Sequence, residues 1–304
     1  MTSRAPRATF QVERIGPHAA RFLHTRAEAK IVAVFERCFY IEAGGAFCCI
    51  GMESIGNGPL NAIFAHNSDA NVFACIEAGT TLTIVDGRAH APQLEIDTSA
   101  ARLWLPPEWP HHRNRTALRS TLTSIRTIIC RDAPRQGLSR LAVEPAANID
   151  ASDPLHRIGA AHLARLAAWL DAPVQDAPVD LLGLGPGLTP SGDDVLCGAL
   201  IALHAVGQSA TAAKLADAVR VATGDRTSLL SAAFLDAAAD GMGSEALHTL
   251  IAAVLSGDSD AISDLASILG RIGHTSGWDA MAGAVLALKA VADEPRLEQS
   301  TRSP

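Results

Sequence analysis

An α+β fold, an N-terminal antiparallel β barrel or sandwich followed by a C-terminal helical bundle, is predicted by one change of pattern along this 304-residue chain. The first third carries short runs rich in β-branched and aromatic residues, cut by glycines and prolines. From Arg115 the apolar residues Leu118, Leu122, Ile125 and Ile129 fall at helical spacing, and Ala and Leu dominate the second half of the chain. Three segments result: a β-rich domain over 8–112, a helix and connector over 113–154, and a helical domain over 155–292.

Strands are expected over Ile31–Phe39, Ala46–Ile50, Val72–Ile76, Thr80–Val85, Gln93–Ile96 and Arg102–Leu105. Asp86-Gly87 is a hairpin turn, because both residues tolerate positive φ. No G-x-G-x-x-G follows a strand, which excludes a dinucleotide-binding fold. Pro106-Pro107-Glu108-Trp109-Pro110 closes the region, and His111-His112 reads as a solvated turn. A connector is expected from Asp132 to Pro154. Helices are expected over Leu155–Leu170, from Asp194 to Val206, and over Thr211–Ala222, Thr227–Ala239, Glu245–Leu255, Ala261–Leu269 and Ala280–Val291. Gly224, Gly241, Gly243, Gly257 and Gly270 stand between them as stops, and the tail from Glu294 is expected to fray.

Hydrophobic residues make up 48% of the chain, enough for a well-packed core. A net charge of −7 without basic blocks argues against a nucleic-acid surface. An anionic ligand must therefore be held by local amides and a few Arg side chains. The six cysteines form no C-x-x-C and no metal-like spacing with His, so they read as buried free thiols in a reducing compartment. Residues 1–12 lack the apolar core of a signal peptide, and no run reaches the ~18 apolar residues of a membrane span. A cytoplasmic protein with no membrane partner is expected.

Residues 181–198 carry the densest pattern: Leu-Leu-Gly-Leu-Gly-Pro-Gly-Leu-Thr-Pro-Ser-Gly-Asp-Asp-Val-Leu-Cys-Gly. Glycine lets a loop approach an anion closely, and the helix after it points its amides and dipole at the same spot. A second copy, Gly273-His274-Thr275-Ser276-Gly277-Trp278-Asp279, repeats Gly, Thr and Ser-Gly-x-Asp. With one gap at Pro190, Gly187 matches Gly273, Thr189 matches Thr275, Asp194 matches Asp279 and Gly198 matches Gly283. Ser and Asp at each helix start could be caps and nothing more. Capping accounts for neither the glycines nor the doubling, so both helix starts are expected to face one site for a small anion.

The loop is not of the Walker type, for Pro190-Ser191 stands where a Lys is needed. Gly185, Gly187, Thr189, Ser191 and Gly192 in the first loop, with Thr275, Ser276 and Gly277 in the second, are the substrate-binding candidates. Asp193, Asp194 and Asp279 are candidate acid–base groups, and His274 a candidate proton carrier. Arg226 beside Thr227 offers a two-point anion clamp, or is a surface Arg beside an ordinary cap. Asn57, in Gly56-Asn57-Gly58-Pro59, contacts a ligand or only turns the chain. No cofactor is predicted; two carboxylates are a weak metal signal, with Mg2+ completed by waters the cation that would suit them. The pattern around Ser191 is not Gly-x-Ser-x-Gly, which disfavours a serine hydrolase.

Gly183-Leu184-Gly185-Pro186-Gly187-Leu188-Thr189-Pro190-Ser191-Gly192-Asp193-Asp194, seconded by the 273–279 loop and by Gly56-Asn57-Gly58-Pro59, resembles the AllH-like family. The resemblance spans about residues 30 to 292. It implies a subunit of an oxamate carbamoyltransferase in allantoin degradation, working with AllF- and AllG-like subunits. That activity interconverts oxalurate plus phosphate with oxamate plus carbamoyl phosphate. The Ser-Thr-Arg-Thr loop and parallel sheet of ordinary carbamoyltransferases are missing; Asp225-Arg226-Thr227-Ser228 is only faintly similar. Two classes of function therefore stand: a catalytic subunit, or a non-catalytic subunit that binds a small carboxylate or phosphate within a multi-component complex.

Overall fold

The computed structural model describes residues 8–64, 73, 76–110, 114–145, 150 and 152–293. The expectations for residues 1–7, for the His111-His112 turn and for the tail from Glu294 lie outside the described residues, as does most of the Val72–Ile76 run. The chain forms two compact units: one holds the described residues up to Pro106 together with Met242–Glu245, the other Pro107–Gly241 and the residues from Ala246.

The first unit is a closed β barrel. Its strands are β1 (Ala8–Ile15), β2 (Arg26–Val34), β3 (Cys38–Ala43), β4 (Ala46–Met52), β5 (Asn61–Phe64), β6 (Thr81–Val85), β7 (Arg88–Ala91) and β8 (Leu94–Asp97). They take the order β5-β4-β3-β2-β6-β7-β8-β1, and a β5–β1 pairing closes the ring. The short β9 (Arg102–Leu103) adds to β1 beyond the end of β8. Inward positions alternate with outward ones, so Phe10, Ile31, Phe39, Ile41, Ile50, Leu82, Ile84 and Ile96 fill the interior. Phe10 meets Phe39, Phe64 and Phe73 with ring centroids 5.6, 4.7 and 5.9 Å away.

Asp86 and Gly87 both have positive φ, 47° and 88°, and make the expected hairpin between β6 and β7. Several expectations are corrected. The Ile31–Phe39 run is two strands, because the chain turns at Phe35-Glu36-Arg37 without any Gly, Pro, Asn or Asp to announce it. The barrel is not wholly antiparallel: β1 runs parallel to β8 and β9, and β4 parallel to β5. Strand β1 has no readable alternation because a bulge between Val12 and Arg14 shifts its period. Helix α1 (Pro17–Leu23) and strands β5 and β7 are too short to register in the sequence. Pro59 O takes the first free amides of α1, His18 N and Ala19 N, each at 3.0 Å. The tight Gly56–Pro59 turn thus has a structural use.

The second unit is helical. It contains α2 (Arg115–Asp132), α3 (Ser139–Val143), α4 (Pro154–Asp171), α5 (Ser191–Ala205), α6 (Ser209–Thr223), α7 (Leu229–Ala239), α8 (Glu245–Ser256, whose first residue belongs to the barrel unit), α9 (Ile262–Leu269) and α10 (Ser276–Asp293). Asn114 and Asp153 cap α2 and α4 through their side chains. The expected connector carries α3, packed against α10. Helices α5 and α10 form the centre: Val195, Leu196, Ala199 and Leu200 on one, Met281, Ala282, Val285 and Ala287 on the other, are fully buried. Both helices begin earlier than expected, at Ser191 and Ser276, so each Ser-Gly-x-Asp is the first helical turn and not the loop before it. No helix among the described residues is long and apolar enough to cross a membrane.

Candidate functional site

The two repeated motifs build one local device twice. After Leu181 the chain makes a tight turn, with Leu184 N donating to Leu181 O at 2.9 Å and Gly192 N donating to Leu184 O at 2.8 Å. In the second copy Ile272 N donates to Leu269 O and Gly277 N to Ile272 O, both at 3.0 Å. Gly192 lies against the Leu181 carbonyl and Gly277 against the Leu269 carbonyl, where any Cβ would collide with backbone. Each motif needs glycine because its helix starts in contact with the turn that precedes it. The longer first loop also holds Gly183, Gly185 and Gly187 at φ of 76°, 122° and 100°, a region that side chains avoid. Its tip, Pro186–Leu188, is exposed, and among the described residues the amides of Gly185, Gly187 and Leu188 form no hydrogen bond.

The two helices then meet near their N-termini. Gly198 faces the Ala280 carbonyl and Gly283 faces the Val195 carbonyl, a reciprocal backbone-to-backbone crossing with no room for a methyl group on either side. Side chains repeat the reciprocity. The hydroxyls of Ser276 and Thr189 face Asp194, and those of Ser191 and Thr275 face Asp279. Thr189 Oγ1 and Ser276 Oγ lie 3.0 Å apart, so the loops touch directly.

Burial is the main force on these carboxylates. It raises Asp194 well above the usual carboxylate range, and the charges of Asp279 and Asp193 add to it. Asp279, fully buried, is raised to about 6, again chiefly by burial, with Ser191 and Leu138 N holding it down. The Oδ2 atoms of both residues are buried without a hydrogen-bond partner. The Cys197 thiol, one turn along α5, is pushed up by burial and by Asp194 and Asp193. Asp279 lies under a turn that sequence reading missed: Leu138 N donates to its Oδ1 at 2.8 Å, and Gly137, at φ 84°, packs against Oδ2. His156, also missed, holds that turn by donating Nε2–H to Gly137 O at 3.1 Å, while its Nδ1 accepts from Asp150 N at 3.2 Å.

The remaining candidates take other places. Asp193 points away from the pair into the interior, where it accepts from Gly183 N at 2.6 Å, from Ser231 Oγ at 2.6 Å and from Thr227 Oγ1. It ties the glycine loop to the start of α7, and Thr227 serves it there. Ser228 Oγ donates to Leu188 O at 2.5 Å and fixes the loop tip. Arg226 is exposed, and its Nη2 donates to Val179 O at 3.1 Å. His274 is exposed beside Thr275. Asn57 belongs to the barrel unit: its Oδ1 accepts from Arg14 Nε at 3.1 Å and its Nδ2 donates to Glu245 Oε2 at 2.8 Å. Among the described residues no three His, Cys, Asp or Glu side chains are grouped to hold a metal ion. Leu138 and His156, over Asp279, and Ser231, on Asp193, carry no motif of their own; only the doubled Ser-Gly-x-Asp marked the carboxylates they serve.

Residues 181–288 match the family described as oxamate carbamoyltransferase subunit AllH. The matched span, about a third of the chain, opens on the glycine loop and closes inside α10, so it holds both motifs. Neither the search of curated proteins nor that of solved structures gave a match.

Proposed function

We propose that this protein is a subunit of an oxamate carbamoyltransferase, interconverting oxalurate plus phosphate with oxamate plus carbamoyl phosphate together with AllF- and AllG-like subunits, in allantoin degradation. The observation that carries the reading is that the family match falls on the two motifs whose helix starts meet. The free amides of Gly185, Gly187 and Leu188 and the hydroxyls of Thr189 and Ser276 are suited to carboxylate or phosphate oxygens. Asp194 and Asp279 supply acid–base capacity, and Asp193 positions the loop. Arg226 keeps donors for an anion beyond the one that Val179 O takes, and His274 is exposed to solvent. The reaction is proposed to need no firmly bound cofactor, with Mg2+ the cation that would suit the carboxylates, and a cytoplasmic site of action suits the small polar substrates.

A second reading, a subunit that binds the metabolite without transforming it, is favoured by one observation: the helix starts close on each other through their own side chains. The test of both is to assay oxalurate phosphorolysis with this chain alone and with its partner subunits, beside calorimetry of the chain with phosphate, oxamate and oxalurate. Turnover that requires the chain and is lost in Ser276→Ala supports the first reading. Unchanged turnover in that variant, with ligand binding retained, supports the second.

A further inference from the structure

We propose that Asp194 and Asp279 act as one carboxyl pair holding a single proton at neutral pH, with Asp194 the acid–base group that meets substrate and Asp279 its positioning partner. The reaction step rests on the carbamoyl-transfer reading; the shared proton does not.

Both carboxylates occupy the fourth residue of their helices, at N-termini that face each other. Each keeps one buried oxygen, Oδ2, without a hydrogen-bond partner. Two like charges in a buried site cannot both persist, and one proton removes a charge. The ionisable groups acting on Asp194 are Asp279 and Asp193; Asp193 is taken up by Gly183, Thr227 and Ser231, and the Cys197 thiol feels both helix-start carboxylates of α5. A divalent cation would need about six oxygen ligands, and no group of three candidate side chains is at hand among the described residues. The two members differ in access. Asp194 is partly exposed, whereas Asp279 is sealed beneath Gly137 and Leu138. This places Asp194 towards the ligand.

In phosphorolysis a phosphate oxygen bonds to the carbamoyl carbon of oxalurate and the carbon–nitrogen bond to oxamate breaks. The departing nitrogen takes the electron pair and the proton of Asp194. The proton released by hydrogen phosphate returns to the pair, so no proton is consumed.

The proton is read by infrared spectroscopy of the full chain with labelled aspartate carboxyls, without substrate. The expected result at pH 7 is a protonated-carboxyl stretch that is lost in Asp194→Asn. In Asp279→Asn it should remain but titrate lower, by about one unit or more, because a like charge is gone. Absence of the band in the unsubstituted chain, or its persistence in Asp194→Asn, overturns the pair. In the assembled enzyme, Asp194→Asn should lose turnover at every pH, and Asp279→Asn should move the alkaline limb of the pH–rate profile to lower pH. An unshifted profile overturns the positioning role of Asp279. Failure of the unsubstituted enzyme to act on oxalurate would remove the carbamoyl reading and leave the spectroscopic test intact.

Discussion

Replacing Gly198 by Ala sets two effects against each other at one atom. Helix propensity alone favours alanine by about 1 kcal/mol in a helix interior. Gly198, however, is buried where α5 crosses α10, and its missing Cβ would lie on the Ala280 carbonyl. That obstacle is backbone within a helix, so no side chain can swing aside and the helices must separate. Forced overpacking costs about 1–3 kcal/mol, and opening the crossing also loosens Val195, Ala282 and their neighbours. The net expectation is destabilisation of about 1–2 kcal/mol or more, opposite in sign to propensity. Gly283→Ala meets the Val195 carbonyl and should cost a similar amount. The double variant should cost less than the two added together, since one separation relieves both collisions. Urea midpoints monitored by circular dichroism give the three values. A gain in stability for either single variant, or full additivity in the double, would falsify the close crossing.

Two titrations should oppose each other. Asp279 rises on folding from the ordinary aspartate value of 3.8 to about 6, so the folded state holds a proton that the unfolded chain has released; its contribution is complete below about pH 4 and is lost as pH climbs through about 6. The loss amounts to about 3 kcal/mol, and Asp279→Asn should be the more stable protein at pH 8 by up to that amount, with equal stability at pH 8 refuting the shift. His248, buried and stacked on Trp109 with ring centroids 4.7 Å apart, is lowered from 6.5 to about 4. Its contribution is complete above about pH 6.5 and lost as pH falls through about 4, so His248→Phe should flatten the acid side of the stability curve by about 3 kcal/mol; an unchanged acid slope would exclude it. Asp193→Ala strands the part-buried Gly183 amide and Thr227 hydroxyl and the buried Ser231 hydroxyl, and a loss of about 2–4 kcal/mol is expected in the same urea assay. A loss below about 1 kcal/mol would show that the glycine loop does not depend on this carboxylate.

The helical unit was legible because its helices are long and their apolar positions periodic; Leu163, Leu166 and Leu170 show it in α4. The motif was legible for another reason. Gly192, Gly198, Gly277 and Gly283 each lie against a carbonyl, and that demand fixes their spacing in both copies. What stayed hidden depended on orientation or on distance along the chain. Asp193 and Asp194 are adjacent and chemically identical, yet a helix turns by about 100° per residue, which sends one to Ser231 and the other to Ser276. The cover over Asp279 comes from Leu138, 141 residues away, and no local pattern announces such a partner. In the barrel, β1 was missed because the bulge after Val12 breaks the alternation on which strand reading depends.

The ring closed by β1 has a temporal side. Of the barrel strands this one leaves the ribosome first, yet its partners lie at residues 62–64 and 94–97. At about 5–20 residues per second, the wait between β1 and β8 is roughly 4–16 s. Until β5 emerges, Phe10, Val12 and Ile15 have neither neighbour strand, and until β8 follows, one row of β1 amides and carbonyls stays open to other chains. The closed product has no such edge between β1 and its neighbours. Rapid translation from β1 to β8, or a factor that shelters the nascent β1, would shorten the period in which this barrel can be captured by a stray strand.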